Sequence, residues 1–201
     1  MLRRDELRGA HVRVKLENGI QLLTGITPPP GASATADELQ VVQRAVAQRT
    51  PEATARVEKI GQHGGTLLPR NMLGDYVRNH GVVDGVKATV AVAVSGATTS
   101  ISSKALKALY GRPRPYTLDP SMAVLGKTPV TRSYPSGHAA TAHSAATVLS
   151  ARWPERAASY QSLAREAGEA RVYSGVHYPS DVAAGEKLVQ FAARATGGAT
   201  A

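Results

Sequence analysis

The segment 134–149 constrains the fold more than any other, because a rigid turn there passes directly into a run of small residues. The turn reads Tyr134-Pro135-Ser136-Gly137-His138. Proline keeps the residue before it out of the α region and serine is a favoured N-cap, so we predict that a closely packed helix begins here. Its first N–H groups and its dipole favour a bound anion. Considered alone, the segment fits an ordinary capped helix with a surface histidine equally well.

Composition narrows the fold class. The chain has 201 residues, of which 42% are hydrophobic and 4% aromatic. That length is enough to bury one sizeable core, and with one Trp and one Phe the core must consist of Ala, Val and Leu. Because a β-sandwich depends on aromatic and β-branched residues, we predict an all-α, single-domain helical bundle. The absence of cysteine excludes disulfides and thiolate metal sites.

The charge of the chain favours an anionic partner. Its formal net charge is +9, which suits phosphate esters, nucleic acid or a membrane surface. The basic residues are scattered among acidic ones, however, and no zinc-finger or RNA-binding motif is present. We therefore expect no nucleic-acid partner, although a basic binding module remains a rival hypothesis.

Neither a leader nor a membrane span is predicted. No apolar stretch follows the first arginines, so the start does not read as a signal peptide. The most apolar segment, 88–103, contains several Ser and Thr and falls short of the roughly 20 apolar residues of a transmembrane helix. We expect a soluble protein with no transmembrane segment.

Apolar spacing, prolines and glycines divide the chain into an irregular N-terminal arm (1–34), a helical domain (35–196) and a short tail (197–201). Residues 12–16 alternate like a strand within the arm. Thr35 and Glu38 are spaced as a capping box. Segment 82–110 is predicted to be a long buried helix. The predicted helices are 35–49, 51–60, 73–79, 82–110, 137–152, 154–173 and 180–196.

Three segments carry residues suited to phosphate chemistry. They are Lys107 followed after six residues by Arg114-Pro115, then Pro135-Ser136-Gly137-His138, and finally Arg171 followed by His177 and Asp181. The four-residue separation of His177 and Asp181 allows the carboxylate to reach the imidazole. Two Pro- and Gly-rich loops are expected to bring these segments to one end of the bundle. Taken singly each residue has an ordinary structural explanation, and only their joint order and spacing indicate a site.

Such a set is what cleavage of a phosphate ester requires. Arginine and lysine side chains can surround the non-bridging oxygens, and N–H and O–H donors at a helix end stabilise the charge of the transition state. One neutral imidazole can attack phosphorus while a second, protonated one supplies a proton to the leaving oxygen. A carboxylate holds the attacking ring in one tautomer. No metal is required.

The order Lys-x6-Arg-Pro, Pro-Ser-Gly-His and Arg-x5-His-x3-Asp resembles the type 2 phosphatidic acid phosphatase superfamily over roughly 82–190. That superfamily includes the bacterial class A nonspecific acid phosphatases, lipid phosphatases and vanadium-dependent haloperoxidases. The resemblance implies their helical fold, with His177 as the nucleophile that forms a phosphohistidine, His138 as the general acid and Asp181 as the group that orients His177. It further implies a phosphate site, free of metal and cofactor, that phosphate or vanadate can occupy. Its residues would be Lys107, Arg114, Ser136, Gly137 and Arg171.

One departure and two alternatives remain. The third motif of the family usually begins Ser-Arg, whereas this chain has Ala170, and the lost hydroxyl should weaken phosphate contact by about 1 kcal/mol.

A haloperoxidase using the same anion site is an alternative, although the scarcity of Trp and Phe disfavours a halide site. A lipid phosphate phosphatase at a membrane surface is the other. We favour a small soluble phosphate ester as substrate, with homo-oligomers possible. The location stays open: the resemblance implies a periplasmic or secreted protein if a signal peptide has been removed, and otherwise a cytoplasmic one is expected.

The remaining histidines and the tyrosines near the motifs have no assigned role. The histidines fit no spacing rule and are expected to be structural or solvated: His11, His63, His80 and His143. The tyrosines are expected to line the pocket or to pack in the core: Tyr116, Tyr134, Tyr173 and Tyr178. Trp153, which precedes a proline, is expected to join two helices.

Overall fold

A computed structural model describes residues 25–62 and 66–195. These residues form helices and loops without a strand, which confirms the predicted all-α fold. The strand predicted at 12–16, most of the arm, His11, His63 and the tail lie outside the described residues. The helices are α1 (Ala32–Ala47), α2 (Pro51–Gln62), α3 (Leu67–Tyr110), α4 (Pro115–Leu118), α5 (Gly137–Arg152), a 3-10 turn (Pro154–Arg156), α6 (Ala157–Tyr173) and α7 (Pro179–Ala195).

Helix α5 is the centre of the bundle and packs against α3, α6 and α7. It begins where the turn at 134–138 predicts, with Ser136 as its N-cap. Glycines let the helices approach: a Cβ on Gly185 of α7 would lie 2.4 Å from the carbonyl oxygen of Ser136, and one on Gly168 of α6 would lie 2.4 Å from Cγ1 of Val182. The run of small residues therefore has the close-packing role that the sequence predicts.

Helix α3 is kinked. Gly81 has φ of 76° and ψ of 179°, so the chain makes two helical segments, 67–80 and 82–110, across this residue. A positive φ suits glycine, which has no Cβ to clash. The first segment begins six residues before the predicted 73–79.

The second segment of α3 is not the buried helix that the sequence predicts. Its core side carries small polar residues such as Ser95, Thr99 and Ser103 and, near its end, Leu106 and Tyr110. Six large apolar residues are exposed instead: Val82, Val83, Val86, Val90, Val94 and Ile101. Val90 is 58% exposed. The reason is that the buried side must lie close to α5, where Ser144 Oγ donates to Ser95 Oγ at 2.6 Å, and only small side chains fit there.

That outward face bears on the membrane question. Among the described residues one helical stretch, Leu67–Leu118, is long and apolar enough to cross a membrane, and 11% of its most apolar 18 residues are buried. The predicted absence of a transmembrane segment therefore stays a prediction.

The capping box predicted for α1 is wrong. The helix begins at Ala32 with Gly31 as N-cap, one turn before the predicted start. Thr35 Oγ1 donates to the carbonyl of Pro30 at 3.1 Å, and Glu38 points away from the helix end toward α7, where it accepts from Ser180 N–H at 2.6 Å.

Candidate active site

The three predicted segments meet at one end of the bundle. Lys107 lies in the last turn of α3, where Gly111 ends the helix in the left-handed conformation. Arg114 is the N-cap of α4, and Arg171 lies in the last turn of α6. A short loop then carries His177 to α7, whose first turn contains Asp181. Helix ends and Pro- or Gly-rich loops thus position the set, as the sequence predicts.

His177 is held by Asp181. Its Nδ1 lies 3.1 Å from Asp181 Oδ2, and both side chains are buried, with relative exposures of 3% and 0%. A carboxylate accepts hydrogen bonds, so Nδ1 carries the proton and Nε2 keeps a free electron pair. Burial lowers the pKa of His177 to about 3, although Asp181 opposes the shift. The ring is consequently neutral and presents Nε2 as a nucleophile near neutral pH.

Asp181 is an anion surrounded by donors. Its Oδ2 accepts from the Tyr178 N–H at 2.9 Å and from the Ser133 hydroxyl, and its Oδ1 accepts from Arg112 Nη1 at 2.7 Å. Burial tends to raise the pKa of this carboxyl, but His177, Arg112 and Ser133 together hold it at about 2. Asp181 is therefore charged at any pH at which His177 is neutral.

Arg114 contacts His177. Its Nη1 donates to the Val176 carbonyl at 2.8 Å and lies 3.2 Å from His177 Nε2, the nitrogen with the free electron pair. Its other N–H groups donate to the loop 131–132, including Nε to the Thr131 carbonyl at 2.6 Å. The guanidinium thus occupies the position from which an anion would approach His177.

Lys107 binds the loop before α5. Its Nζ donates to the carbonyls of Arg132 and Ser133, both at 2.9 Å, and of Pro135 at 2.6 Å. Three acceptors match the three N–H bonds of an ammonium group. Burial and the charge of Arg114 nevertheless lower the pKa of Lys107 to about 7. In this conformation Lys107 shapes the site and contributes charge to it.

Arg171 is one of the three predicted phosphate-binding cations, and among the described residues one of its hydrogen-bond donors has no partner. It is 6% exposed, and within the described part of the chain its Nε is buried without a hydrogen-bond partner. Burial and the nearby charge of Arg114 lower its pKa to about 10, so the side chain stays charged at neutral pH. A buried cation with an unsatisfied N–H is costly unless an anion binds it.

His138 occupies the second position of α5 and is surrounded by positive charge. Burial lowers its pKa, and together with Arg171, His177, Arg114 and Lys107 it brings the pKa to about 3. These contributions indicate that the predicted cations and both imidazoles converge on one volume. In the absence of an anion His138 is therefore neutral, and a dianion placed among these groups would favour its protonated form.

The remaining predicted residues lie at the N-terminus of α5. Ser136 is buried, its Oγ accepts from the Ala139 N–H at 3.4 Å, and its own N–H donates to the Asp181 carbonyl at 2.8 Å. The last contact ties the start of α5 to the start of α7. Gly137 follows as the first helical residue, where N–H groups have no partner within the helix.

A cavity opens beside these groups. It has a volume of about 420 Å³ and lies between Arg114 and the loop 128–132. Its walls are mostly uncharged, with Pro113, Tyr116 and Val130 among them. Of the four tyrosines near the motifs, Tyr116 lines this cavity, whereas Tyr134 and Tyr178 are buried in the core.

Sequence reasoning missed three residues that support the site. Arg112 and Ser133 bind Asp181, and Glu38 binds Arg112 Nη2 at 2.7 Å. Arg112 lies in the sequence Arg-Pro-Arg-Pro, in which only the second arginine was assigned a role. The proximity of Glu38 leaves no signal in the sequence, since 143 positions separate it from Asp181.

Comparison with known proteins identifies the family. The model of the PAP2 superfamily matches residues 85–189, more than half of the chain and all of the segments described above. The chain belongs to the PAP2 superfamily. The predicted membership is therefore confirmed, whereas the closer placement among the class A acid phosphatases stays a prediction.

Among curated proteins, the non-specific acid phosphatases of Salmonella typhi and of Salmonella typhimurium strain LT2 are each 51% identical to the chain over 65 residues. The match covers 30% of this PAP2 chain and a quarter of each Salmonella protein.

Solved structures share the fold at low identity. A transmembrane PAP2-type phosphatidylglycerolphosphate phosphatase of Bacillus subtilis has a TM-score of 0.61 at 21% identity, covering 93% of this chain and 91% of its own. Aquifex aeolicus LpxE has a TM-score of 0.64 at 22% identity, covering 79% and 94%. A bacterial vanadium-dependent iodoperoxidase has a TM-score of 0.67 at 21% identity, covering 84% and 52%.

Proposed function

We propose that this PAP2 protein is a metal-independent phosphomonoesterase that works through a phosphohistidine on His177. One observation carries the proposal: Asp181 holds the Nδ1 proton of His177, which leaves the Nε2 electron pair directed into a buried group of cations. A neutral nucleophile beside fixed positive charge suits attack on a phosphate dianion, whose own charge would otherwise repel it.

Binding is assigned to the groups that carry charge or free donors. Arg171 offers an unpaired N–H, and the Nη1 of Arg114 can exchange its contact with His177 for one with a phosphate oxygen. The first N–H groups of α5, at Gly137, add uncharged donors. Lys107 acts mainly through its charge, because its three N–H bonds are directed at the loop carbonyls.

In the first step the Nε2 of His177 forms a bond to phosphorus while the bond from phosphorus to the ester oxygen breaks. His138, protonated under the influence of the bound dianion, gives its proton to that oxygen, and an alcohol leaves. The positive charge that develops on His177 is balanced by Asp181.

In the second step water attacks the phosphohistidine. His138, now neutral, takes a proton from the water as the oxygen bonds to phosphorus and the bond from phosphorus to Nε2 breaks. Inorganic phosphate leaves, and both imidazoles return to their starting states. The low pKa of His138 without an anion and its higher pKa with one suit a group that must both give and take a proton.

The favoured substrate is a small soluble monoester. The cavity beside Arg114 can receive the leaving group, and apart from Arg114 and Arg132 its walls are uncharged Pro, Thr, Val and Tyr residues.

The test is hydrolysis of p-nitrophenyl phosphate by the full chain with EDTA present, with and without orthovanadate. We expect that EDTA leaves the rate of turnover unchanged and that vanadate inhibits it. Vanadate inhibits because it mimics the five-coordinate transition state at the same cations. His177→Ala should reduce turnover to the background rate. A folded wild-type protein without turnover, or one that EDTA inactivates, would contradict the proposal.

A second candidate, a lipid phosphate phosphatase, is favoured by the outward face of α3. Large apolar side chains are exposed along it, with Val86 and Val90 each 58% and Ile101 69% exposed. Contiguous exposed apolar faces commonly mark a binding surface for a protein or a membrane. Under this alternative the face would rest on a lipid bilayer and bring the site to a phosphorylated headgroup.

One experiment distinguishes the two candidate functions. A lipid phosphatase should hydrolyse phosphatidic acid in phosphatidylcholine vesicles, and Val90→Asn should lower that rate while leaving p-nitrophenyl phosphate hydrolysis unchanged. Val41→Asn on α1, where the valine is also exposed, is the matched control. A soluble monoesterase should prefer p-nitrophenyl phosphate and respond to neither substitution.

A further inference from the structure

Arg112 is one of the most thoroughly buried charged residues in the described part of the chain, yet no step of the proposed reaction uses it. Its side chain is 3% exposed and lies between two carboxylates. Nη1 donates to Asp181 Oδ1 at 2.7 Å, and Nη2 donates to Glu38 Oε2 at 2.7 Å. A buried arginine is costly to desolvate, and close contacts with two carboxylates offset that cost. Within the described residues its Nε is buried without a hydrogen-bond partner, so Nη1 and Nη2 make all of its polar contacts.

We propose that Arg112 is a positioning residue that anchors Asp181 to Glu38 of α1 and thereby holds the ring of His177 in its reactive orientation. This inference rests on the proposed function, in which Asp181 orients the nucleophile.

The two oxygens of Asp181 have separate partners. Oδ2 faces His177, Ser133 and the Tyr178 N–H, whereas Oδ1 faces Arg112. A carboxylate held at both oxygens cannot rotate about its last torsion. The Nδ1 of His177, which depends on Oδ2, is fixed by the same contacts.

Arg112 is itself held on several sides. Its guanidinium lies over the Tyr178 ring, 4.0 Å from the centroid, and Nη1 also donates to Ser180 Oγ at 2.8 Å. Nη2 also donates to Thr35 Oγ1 at 3.1 Å. Because the planar guanidinium presents two N–H groups to different carboxylates, lysine could satisfy only part of this arrangement.

Glu38 supplies the balancing charge. A lone arginine next to Asp181 would offset the negative charge that His177 needs when it becomes positive. Glu38 accepts from Arg112, from the Ser180 N–H at 2.6 Å and from Ser180 Oγ at 2.7 Å. With Glu38 present, the three charges sum to one negative charge, which the cationic His177 can neutralise.

The experiment compares Arg112→Gln, Arg112→Lys and Glu38→Gln with the wild type in p-nitrophenyl phosphate hydrolysis. At metal sites, residues that hold a ligating histidine or carboxylate in place typically contribute 10- to 100-fold, and we use the same scale for Arg112 and Glu38. We expect kcat to fall about 100-fold in Arg112→Gln and about 10-fold in the other two, while KM and the vanadate inhibition constant stay within about threefold, because no phosphate contact is removed.

Two further readouts separate positioning from a merely structural role. Loss of Arg112 should raise the pKa of Asp181, so the acidic limb of the kcat profile should move to higher pH. In ¹⁵N-histidine-labelled protein, the Nδ1–H proton resonance of His177 should move or broaden in Arg112→Gln. This second readout requires no turnover, so it tests Arg112 even if the wild type hydrolyses nothing and the proposed function fails.

The matched control is Arg156→Gln, because Arg156 also joins a carboxylate, Asp75, to an aromatic ring, that of Trp153. It should lower the melting temperature without changing kcat by more than about threefold. If Arg112→Gln does not fold, Arg112→Lys and Glu38→Gln decide. Folded variants with kcat near that of the wild type and an unshifted His177 resonance would overturn the proposal.

Discussion

His138 and His177 share a lowered pKa, but their surroundings differ. His177 has a carboxylate partner in Asp181, whereas His138 is surrounded by cations and has no carboxylate among the causes of its shift. The first arrangement fixes a tautomer and suits a nucleophile. The second makes protonation depend on a bound anion and suits an acid that acts only when substrate is present.

That difference predicts how His138→Ala depends on the leaving group. An alkyl phosphate needs a proton on its leaving oxygen, so its hydrolysis should fall about 10²- to 10⁴-fold, the usual contribution of a general acid. The leaving group of p-nitrophenyl phosphate is stable as an anion. For this substrate the rate constant of the first step should fall less than about tenfold. Single-turnover kinetics on both substrates measures this.

His143→Ala is the control, since His143 lies in the same helix, is buried, and has its Nδ1 3.9 Å from Glu186 Oε1. This substitution should lower the stability of the protein, and any change in the hydrolysis rate should be the same for both substrates. Equal losses on both substrates in His138→Ala would contradict the assignment of His138 as the acid.

The contact between His177 and Asp181 could be predicted from the sequence because both residues belong to one short segment with fixed spacing. Asp181 lies four residues after His177, so one helical turn brings the two together. Glu38 and Arg112 could not be predicted as a pair, because 74 residues separate them and only the packing of α1 against α7 makes them neighbours. Local spacing predicts contacts within a turn, whereas contacts between elements require the fold.

Helices α5 and α7, which carry part of the site, depend on close approach at one glycine. Gly185 of α7 faces the first turn of α5, where an added Cβ would lie 2.4 Å from Ser136 O and 3.0 Å from Ala139 Cβ. The atoms that it would meet are backbone and a core methyl group, which cannot move aside as a flexible side chain can. The spacing of α5 and α7, and with it the contact between Ser136 and Asp181, therefore requires glycine at this position.

We predict that Gly185→Ala lowers the free energy of unfolding by about 1–3 kcal/mol, the usual effect of overpacking, and also lowers kcat. Gly96→Ala is the matched control, because Gly96 is helical in α3 and a Cβ there would meet nothing within 4 Å. It should stabilise by roughly 0.5–1 kcal/mol through helix propensity alone. Urea unfolding and kcat measure both. Equal effects of the two substitutions would show that the spacing of α5 and α7 tolerates a methyl group.

The starts of α5 and α7 agree with the sequence prediction at Ser136 and Pro179, whereas α1 begins at Ala32 and not at the predicted cap Thr35. The burial of α3 was predicted wrongly. Its apolar composition suggests a core helix, but orientation depends on which side fits against α5, and there the small residues Ser95 and Ser103 pack inward. Composition averages over both faces of a helix and so does not reveal this.

Considered as a whole, the protein concentrates positive charge and neutral histidines in one buried region. The pKa of both His138 and His177 is about 3, against 6.5 in an unfolded chain, and that of Asp181 is about 2, against 3.8. For each of these groups the unfolded state binds more protons than the folded state between the two pKa values. Stability must therefore fall as pH falls through that window.

We predict that the melting temperature of the protein without added anion declines steadily from pH 7 to pH 4. The two histidines account for the decline between about pH 6.5 and 4, and Asp181 contributes only below about pH 4. In the double variant His138→Gln/His177→Gln the slope over this range should flatten. A wild-type melting temperature that is constant or rises on acidification would contradict the pKa values on which the mechanism depends.

The most direct test of the central claim is to trap the phosphoenzyme. The full chain is mixed with ³²P-labelled p-nitrophenyl phosphate, quenched in alkali within the first turnover, and analysed for protein-bound label. We expect label that survives alkali, is lost in acid and maps to the peptide containing His177, with none in His177→Ala. Protein that turns over substrate without carrying label, or that carries acid-stable label on another residue, would contradict the phosphohistidine mechanism.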